Sequence, residues 1–179
     1  MNEPRWLDER EARAWRGYAR MQAQLSARLH RSLQRRTGLS LSDYEVLVHL
    51  SEAPDGHLRS FQLSAALQWE KSRLSHHLTR MEARGLVSRE ECSSDGRGAF
   101  VVLTAAGRAA IEAAAPTHVA DVRETFIDVL TPAQLDALAE IAETVLERLS
   151  SGDDAGGAPA PTADVVRSSR SAPPRGCGR

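Results

Sequence analysis

Between residues 41 and 103 the chain changes its hydrophobic period part-way along. Apolar side chains recur at steps of three and four through three successive segments up to Gly85. After it, Leu86–Cys92 and Ala99–Leu103 are strand-like runs, and the connection Ser93-Ser94-Asp95-Gly96-Arg97-Gly98 carries the Asp-Gly hairpin signal. Helix, short helix, turn, helix, hairpin is an order that few folds accept. The expected class is mainly α with a small β-hairpin wing, a winged helix-turn-helix.

Local signals place the elements. Residues 8–36 read as a long helix with Trp15, Tyr18, Met21, Leu25, Leu29 and Leu33 along one stripe, ended by Thr37-Gly38. Ser42 to Glu45 forms a capping box with Leu41 and Val46 as its staple, and that helix runs to about Glu52 before Pro54-Asp55-Gly56 turns the chain. Ser60 is the expected cap of a short helix to Leu67 that turns Phe61, Leu63 and Leu67 inward. Helix fits 71–84 again, with Leu74, Leu78 and Met81 inward and Gly85 at its C-cap. Thr104 caps a further helix carrying Ile111, Val119, Val122, Phe126 and Val129, in which Pro116 predicts a kink. Thr131-Pro132-Ala133-Gln134 opens a last helix in which Leu135, Leu138, Ala142, Val145 and Leu149 follow at steps of three and four.

The domains expected are a helical dimerisation region at 1–40 and 105–150, a winged helix-turn-helix at 41–104, and a disordered tail at 151–179. In the tail, Gly, Pro, Ser and Ala supply 18 of 29 residues, too little apolar surface to offset ordering entropy. Leu25, Leu29, Ile111, Val119, Val122, Phe126, Leu138, Val145 and Leu149 exceed what a core built from 44–103 can take. Such a surplus predicts a symmetric partner, hence a homodimer.

Charge is balanced overall at −1, which rules out a wholly basic nucleic-acid binder. It is segregated along the chain, however. Residues 59–110 carry eight bases against five acids, whereas 111–150 carry two against eight. The segment 71–84, KSRLSHHLTRMEAR, presents Lys71, Ser72, Arg73, Ser75, His76, Thr79 and Arg80 away from its apolar edge, with no acid between Lys71 and Arg80. These donors and small hydroxyls suit base edges and phosphates in a major groove, while a hairpin reaches the flanking backbone. Taken alone, the same helix also reads as an ordinary solvated face. A winged-helix module that docks protein is the alternative from another class.

The run LSAALQWEKSRLSHHLTRMEARGLVSRE, followed by SDGRGAFVVLTAAG, resembles the winged-helix core of the MarR (multiple antibiotic resistance regulator) family. Arg84-Gly85-Leu86-Val87, Asp95-x-Arg97 and Leu103-Thr104-x-x-Gly107 carry the resemblance, which extends over residues 8 to 150. It implies a dimer formed by the terminal helices and a ligand-responsive repressor on a near-palindromic operator. By position it implies base reading at Ser72, Arg73, Ser75 and His76, and Arg97 in the minor groove oriented by Asp95. Two departures stand out: Gly96 where a second basic residue is common, and Glu70 where a Ser or Thr cap is common. The short-helix stretch 60–68 holds no acid, unlike urate-responsive relatives.

Trp15 and Tyr18 lie where the family's effector pocket falls, so a small-molecule effector is a further expected partner; dimer-core packing is the plainer reading of the pair. His76 and His77 are adjacent and point to different faces, with His77 expected at the edge of the core. The histidines lack chelating spacing, so no metal and no cofactor are expected. Cys92 has Glu90 and Glu91 beside it, a poor setting for a reactive thiol, and Cys177 falls in the tail. No phosphate loop, nucleophile elbow or metalloprotease pair appears, so no enzyme is expected. No apolar run approaches membrane-spanning length, and the charged start MNEPRWLDERE predicts a cytoplasmic chain.

Overall fold

The computed structural model describes residues 4–90 and 99–153. Helix α1 spans Glu9–Thr37, opened by a capping box of Asp8 with Glu11 and closed by Gly38 in the left-handed conformation at φ 74°. Helix α2 spans Leu41–Glu52. Its cap is Ser40 with Asp43 at the third position, not Ser42 with Glu45, so the expected box and its staple shift by two residues. Both serines have an acid three residues on. The earlier one prevails because the left-handed turn at Gly38 lets the helix begin at once.

Strand β1, His57–Arg59, was not expected, and it makes the wing sheet three-stranded in the order β1-β3-β2. Strands β2 (Val87–Glu90) and β3 (Phe100–Leu103) pair antiparallel with Val87 opposite Leu103, and β1 pairs antiparallel with β3 with Leu58 opposite Val101. The tip between β2 and β3, including Asp95, Arg97 and Cys92, lies outside the described residues.

Helix α3 spans Ser60–Leu67 and α4 spans Lys71–Ala83. Two expectations for α3 are corrected. Ser60 is its first residue rather than its cap, because its hydroxyl donates to the Ala99 carbonyl at 3.0 Å while the Gln62 side chain accepts from the Arg59 amide. Phe61 is 56% exposed rather than inward. After α4, Gly85 makes the left-handed turn at φ 71°, one residue beyond the cap Arg84.

Helix α5 spans Ala105–Val122 and contains Pro116; regular α geometry gives way to a π turn over Arg123–Ile127. Thr104 caps α5 by accepting from the Gly107 amide at 3.0 Å, and its hydroxyl lies 3.0 Å from the Leu86 carbonyl, tying helix to sheet. A Cβ on Gly107 would come within 2.0 Å of the Leu86 carbonyl oxygen, so this close approach requires glycine. Helix α6 spans Pro132–Asp153, so the final helix continues three residues past its expected end. The rest of the expected tail lies outside the described residues.

The core is made by Leu33 of α1, Val46, Leu47 and Leu50 of α2, Leu63 of α3, Leu78 and Met81 of α4 and Val101 of β3, all fully buried. Each large aliphatic so placed contributes roughly 1.5–3 kcal/mol. Ile111 is also buried, at 5% exposure. It therefore belongs to this core rather than to the unpartnered surplus. The surplus is real elsewhere. No described side chain of α6 is buried, and Ile141, Val145, Leu146 and Leu149 are all more than half exposed.

Candidate nucleic-acid interface

Helix α4 sits on the core through Leu74, His77, Leu78 and Met81, the i, i+3, i+4, i+7 set of one face. That anchoring fixes the opposite face. Lys71, Ser72, Arg73, Ser75, His76, Thr79 and Arg80 are all exposed. Thus six of the sequence-predicted residues (Lys71, Ser72, Arg73, Ser75, His76 and Arg80) share one element and one exposed surface. Asp95 and Arg97 belong to the undescribed tip. Trp15 and Tyr18 lie on α1, exposed, with ring centroids 6.0 Å apart. The N-cap of α4 is Glu70, whose side chain makes no capping bond, in line with the departure noted in the sequence.

Several side chains hold α4 in place. Trp69, just before it, is buried, and the Ser64 hydroxyl donates to the Trp69 carbonyl. The Arg73 guanidinium lies over the Trp69 ring, 4.2 Å from its centroid. His77 meets the same ring edge-on at 5.2 Å. Behind it, Asp43 of α2 is buried and accepts from Arg84, while its other oxygen caps α2 through the Ser40 amide. Burial alone would push the Asp43 carboxyl up. The neighbours His77, Arg84 and Ser40 outweigh it and hold the group well below the usual carboxylate range.

The wing strand is tied to the same helix by a residue the sequence did not single out. Arg89 of β2 donates to the Ser75 carbonyl at 2.8 Å and the Thr79 hydroxyl at 3.3 Å, and its Nε lies 3.4 Å from Glu82. A cleft of about 370 Å³ opens between α3, α4 and the sheet, with Leu74 and Leu78 at its apolar wall and Phe61, Lys71, Ser75 and Arg89 also lining it. This cleft is why Phe61 is exposed. Among the described residues no group of three or more His, Cys, Asp or Glu side chains could hold a metal ion. Nor is any described helix long and apolar enough to cross a membrane.

The MarR family profile matches residues 37–98. AbsC, a MarR family transcriptional regulator from Streptomyces coelicolor, is 43% identical over 83% of this chain and 99% of its own, with a TM-score of 0.78. Those figures decide the matter. The chain belongs to the MarR family. A second MarR regulator from Streptomyces coelicolor, Sco3205, whose structure is a complex with DNA, is 42% identical over 83% of this chain and 93% of its own, with a TM-score of 0.78. CouR from Rhodococcus jostii RHA1, bound to p-coumaroyl-CoA, shares the fold at 21% identity and a TM-score of 0.60 over 71% of this chain and 87% of its own. No curated protein matches the chain. As a MarR protein it is a winged-helix transcriptional regulator, mostly helical with a small antiparallel sheet.

Proposed function

We propose that this MarR protein is a homodimeric repressor of near-palindromic DNA operators whose binding is released by a small-molecule effector. The observation that carries the DNA reading is the exposed row on α4: three cations, two serines and His76 along one buried-edge helix. Ser72, Arg73, Ser75 and His76 read bases in the major groove; Lys71 and Arg80 hold phosphates; Arg97, oriented by Asp95, enters the minor groove. The DNA complex of Sco3205 supports the same partner here. Residues 41–104 are then the DNA-binding unit, and 1–40 with 105–150 the dimerisation region. The exposed apolar faces of α1 and α6 support that division.

For the effector, a groove of about 420 Å³ between α1 and the π turn, lined by Arg20, Leu25, Arg28 and Phe126 among others, supplies cations beside apolar walls. Trp15 and Tyr18 are not among its lining residues, so their ligand role rests on position along α1 alone. CouR is bound to an acyl-CoA, which supports an organic ligand in this fold without defining one here.

Genomic selection followed by gel shifts on the protein's own upstream region tests the reading. A sequence-selective shift, weakened by Arg73→Ala and Arg97→Ala, is the expected result. Failure to select any duplex, with those variants indistinguishable from wild type, favours the protein-docking alternative.

A further inference from the structure

His77 is the one polar side chain buried within α4, and both of its ring nitrogens face charged groups. Nδ1 lies 3.1 Å from Arg80 Nη2. Nε2 lies 3.1 Å from Asp43 Oδ1, off the line of a good hydrogen bond, so that contact is electrostatic. A guanidinium has donors only, so Arg80 donates and Nδ1 must accept. The ring proton therefore sits on Nε2, toward the Asp43 carboxylate. Trp69, edge-on at 5.2 Å, fixes the plane of the ring, and Asp43 is itself fixed by Arg84 and the α2 cap.

Arg80 is exposed and stands on the face proposed to meet DNA. We infer that His77 is a positioning residue for DNA binding: its Nδ1 holds the Arg80 guanidinium in one orientation, aimed outward at the duplex backbone, before DNA arrives. The inference rests on the proposed DNA reading and adds to it a buried residue that touches no nucleic acid. Its physical basis is the rotamer freedom of arginine, which DNA binding must otherwise quench. Removing that restraint weakens binding by roughly three- to tenfold per side chain. The guanidinium has five N–H donors, so the bond to His77 leaves its outer edge available for a phosphate.

The test uses the full-length protein and a selected duplex. His77→Asn keeps an amide oxygen near the Nδ1 position and so an acceptor for Arg80. His77→Gln instead extends its amide toward the Nε2 position, facing Asp43, and leaves Arg80 without a partner. Equilibrium binding is measured for wild type, both variants, Arg80→Ala, and the Arg80→Ala/His77→Gln double variant. Expected are near-wild-type affinity for His77→Asn, about a tenfold loss for His77→Gln, and no further loss when His77→Gln is added to Arg80→Ala. A merely structural histidine gives the opposite: a loss that persists in the Arg80→Ala background, or His77→Asn as weak as His77→Gln. Arg80→Ala with unchanged affinity also overturns the inference.

Should either His77 variant fail to fold, nitrogen-15 imidazole spectra of the wild type decide. A proton on Nε2, with the Nδ1 resonance shifting on Arg80→Ala, supports the inference; a proton on Nδ1 overturns it. Wild-type protein that binds no duplex is a separate outcome. It removes the DNA reading and this inference together.

Discussion

At the scale of single residues, a buried carboxyl and a half-buried histidine both lose their contribution to stability on acidification, for opposite reasons. Asp43 is held ionised by its neighbours, so its folded-state value lies below its unfolded one. The stability it adds is complete above the unfolded carboxylate range, near pH ~4, and is lost as acidification proceeds through the folded value. Asp43→Asn removes a charged acceptor for Arg84 and the charge beside His77, and should cost about 1.5–3 kcal/mol at pH 7, read from urea unfolding. His118 of α5 packs against Tyr44 of α2, ring centroids 4.5 Å apart and tilted by 46°, and there it is the neutral form that the fold favours. Burial pushes its value down and Asp121 only partly restores it. The fold thus prefers the neutral ring, and its contribution is present above an ordinary histidine value of ~6.5 and lost as pH falls through and below it. The wild-type unfolding midpoint should drop between pH 7.5 and 5.5 by more than that of His118→Phe. Parallel pH profiles would contradict this assignment.

At the scale of elements, the helical periods and most caps were legible because they are local, although the α2 cap is Ser40 and not Ser42, and Ser60 is no cap. Thr131 and Gln134 cap α6, Gly38 and Gly85 turn left-handed after α1 and α4, and Thr104 caps α5, all as the residues predict. What was not legible depends on pairing across the chain. Strand β1 is three residues long, too short for alternation to register, and exists only because β3 is there to pair with it. Phe61 faces a cleft that forms only when the sheet lies against α3 and α4. Arg89 sits 14 residues from Ser75, and Asp43 sits 41 from Arg84, so neither partnership leaves a mark on local spacing. The Arg89 bridge gives an element-level prediction. Arg89→Ala should change stability by less than about 1 kcal/mol, because the ion pair is partly solvated, yet weaken DNA binding by uncoupling the wing from α4. Parallel chemical denaturation and fluorescence anisotropy separate the two effects. Equal affinity for variant and wild type would mean the wing orients without this bridge.

At the scale of the whole molecule, the apolar surfaces of α1 and α6 are left uncovered within one chain. Trp15 is 61% exposed, Ile141 62% and Leu149 60%, an arrangement that in water costs roughly 1.5–3 kcal/mol per large side chain. A second copy is the symmetric way to bury such a stripe, and it would present two α4 helices to successive major grooves about 34 Å apart. Deleting Leu135–Leu149 should therefore abolish dimerisation and DNA binding together. Light scattering of a truncated chain that stays a folded monomer with full affinity would refute the proposed assembly. The sequence already showed this surplus through its terminal stripes, although it assigned Ile111 to the wrong side of the ledger.

The proposed dimer brings Lys71, Arg73, Arg80 and Arg97 of each protomer against the DNA polyanion, and the salt dependence of operator binding measures that directly. With these four cations per protomer each displacing about one counterion, log Kd plotted against log salt concentration should rise with a slope of about 7, and the operator should remain preferred over unrelated duplex throughout. A slope below about 2, or equal affinity for both duplexes, would contradict it.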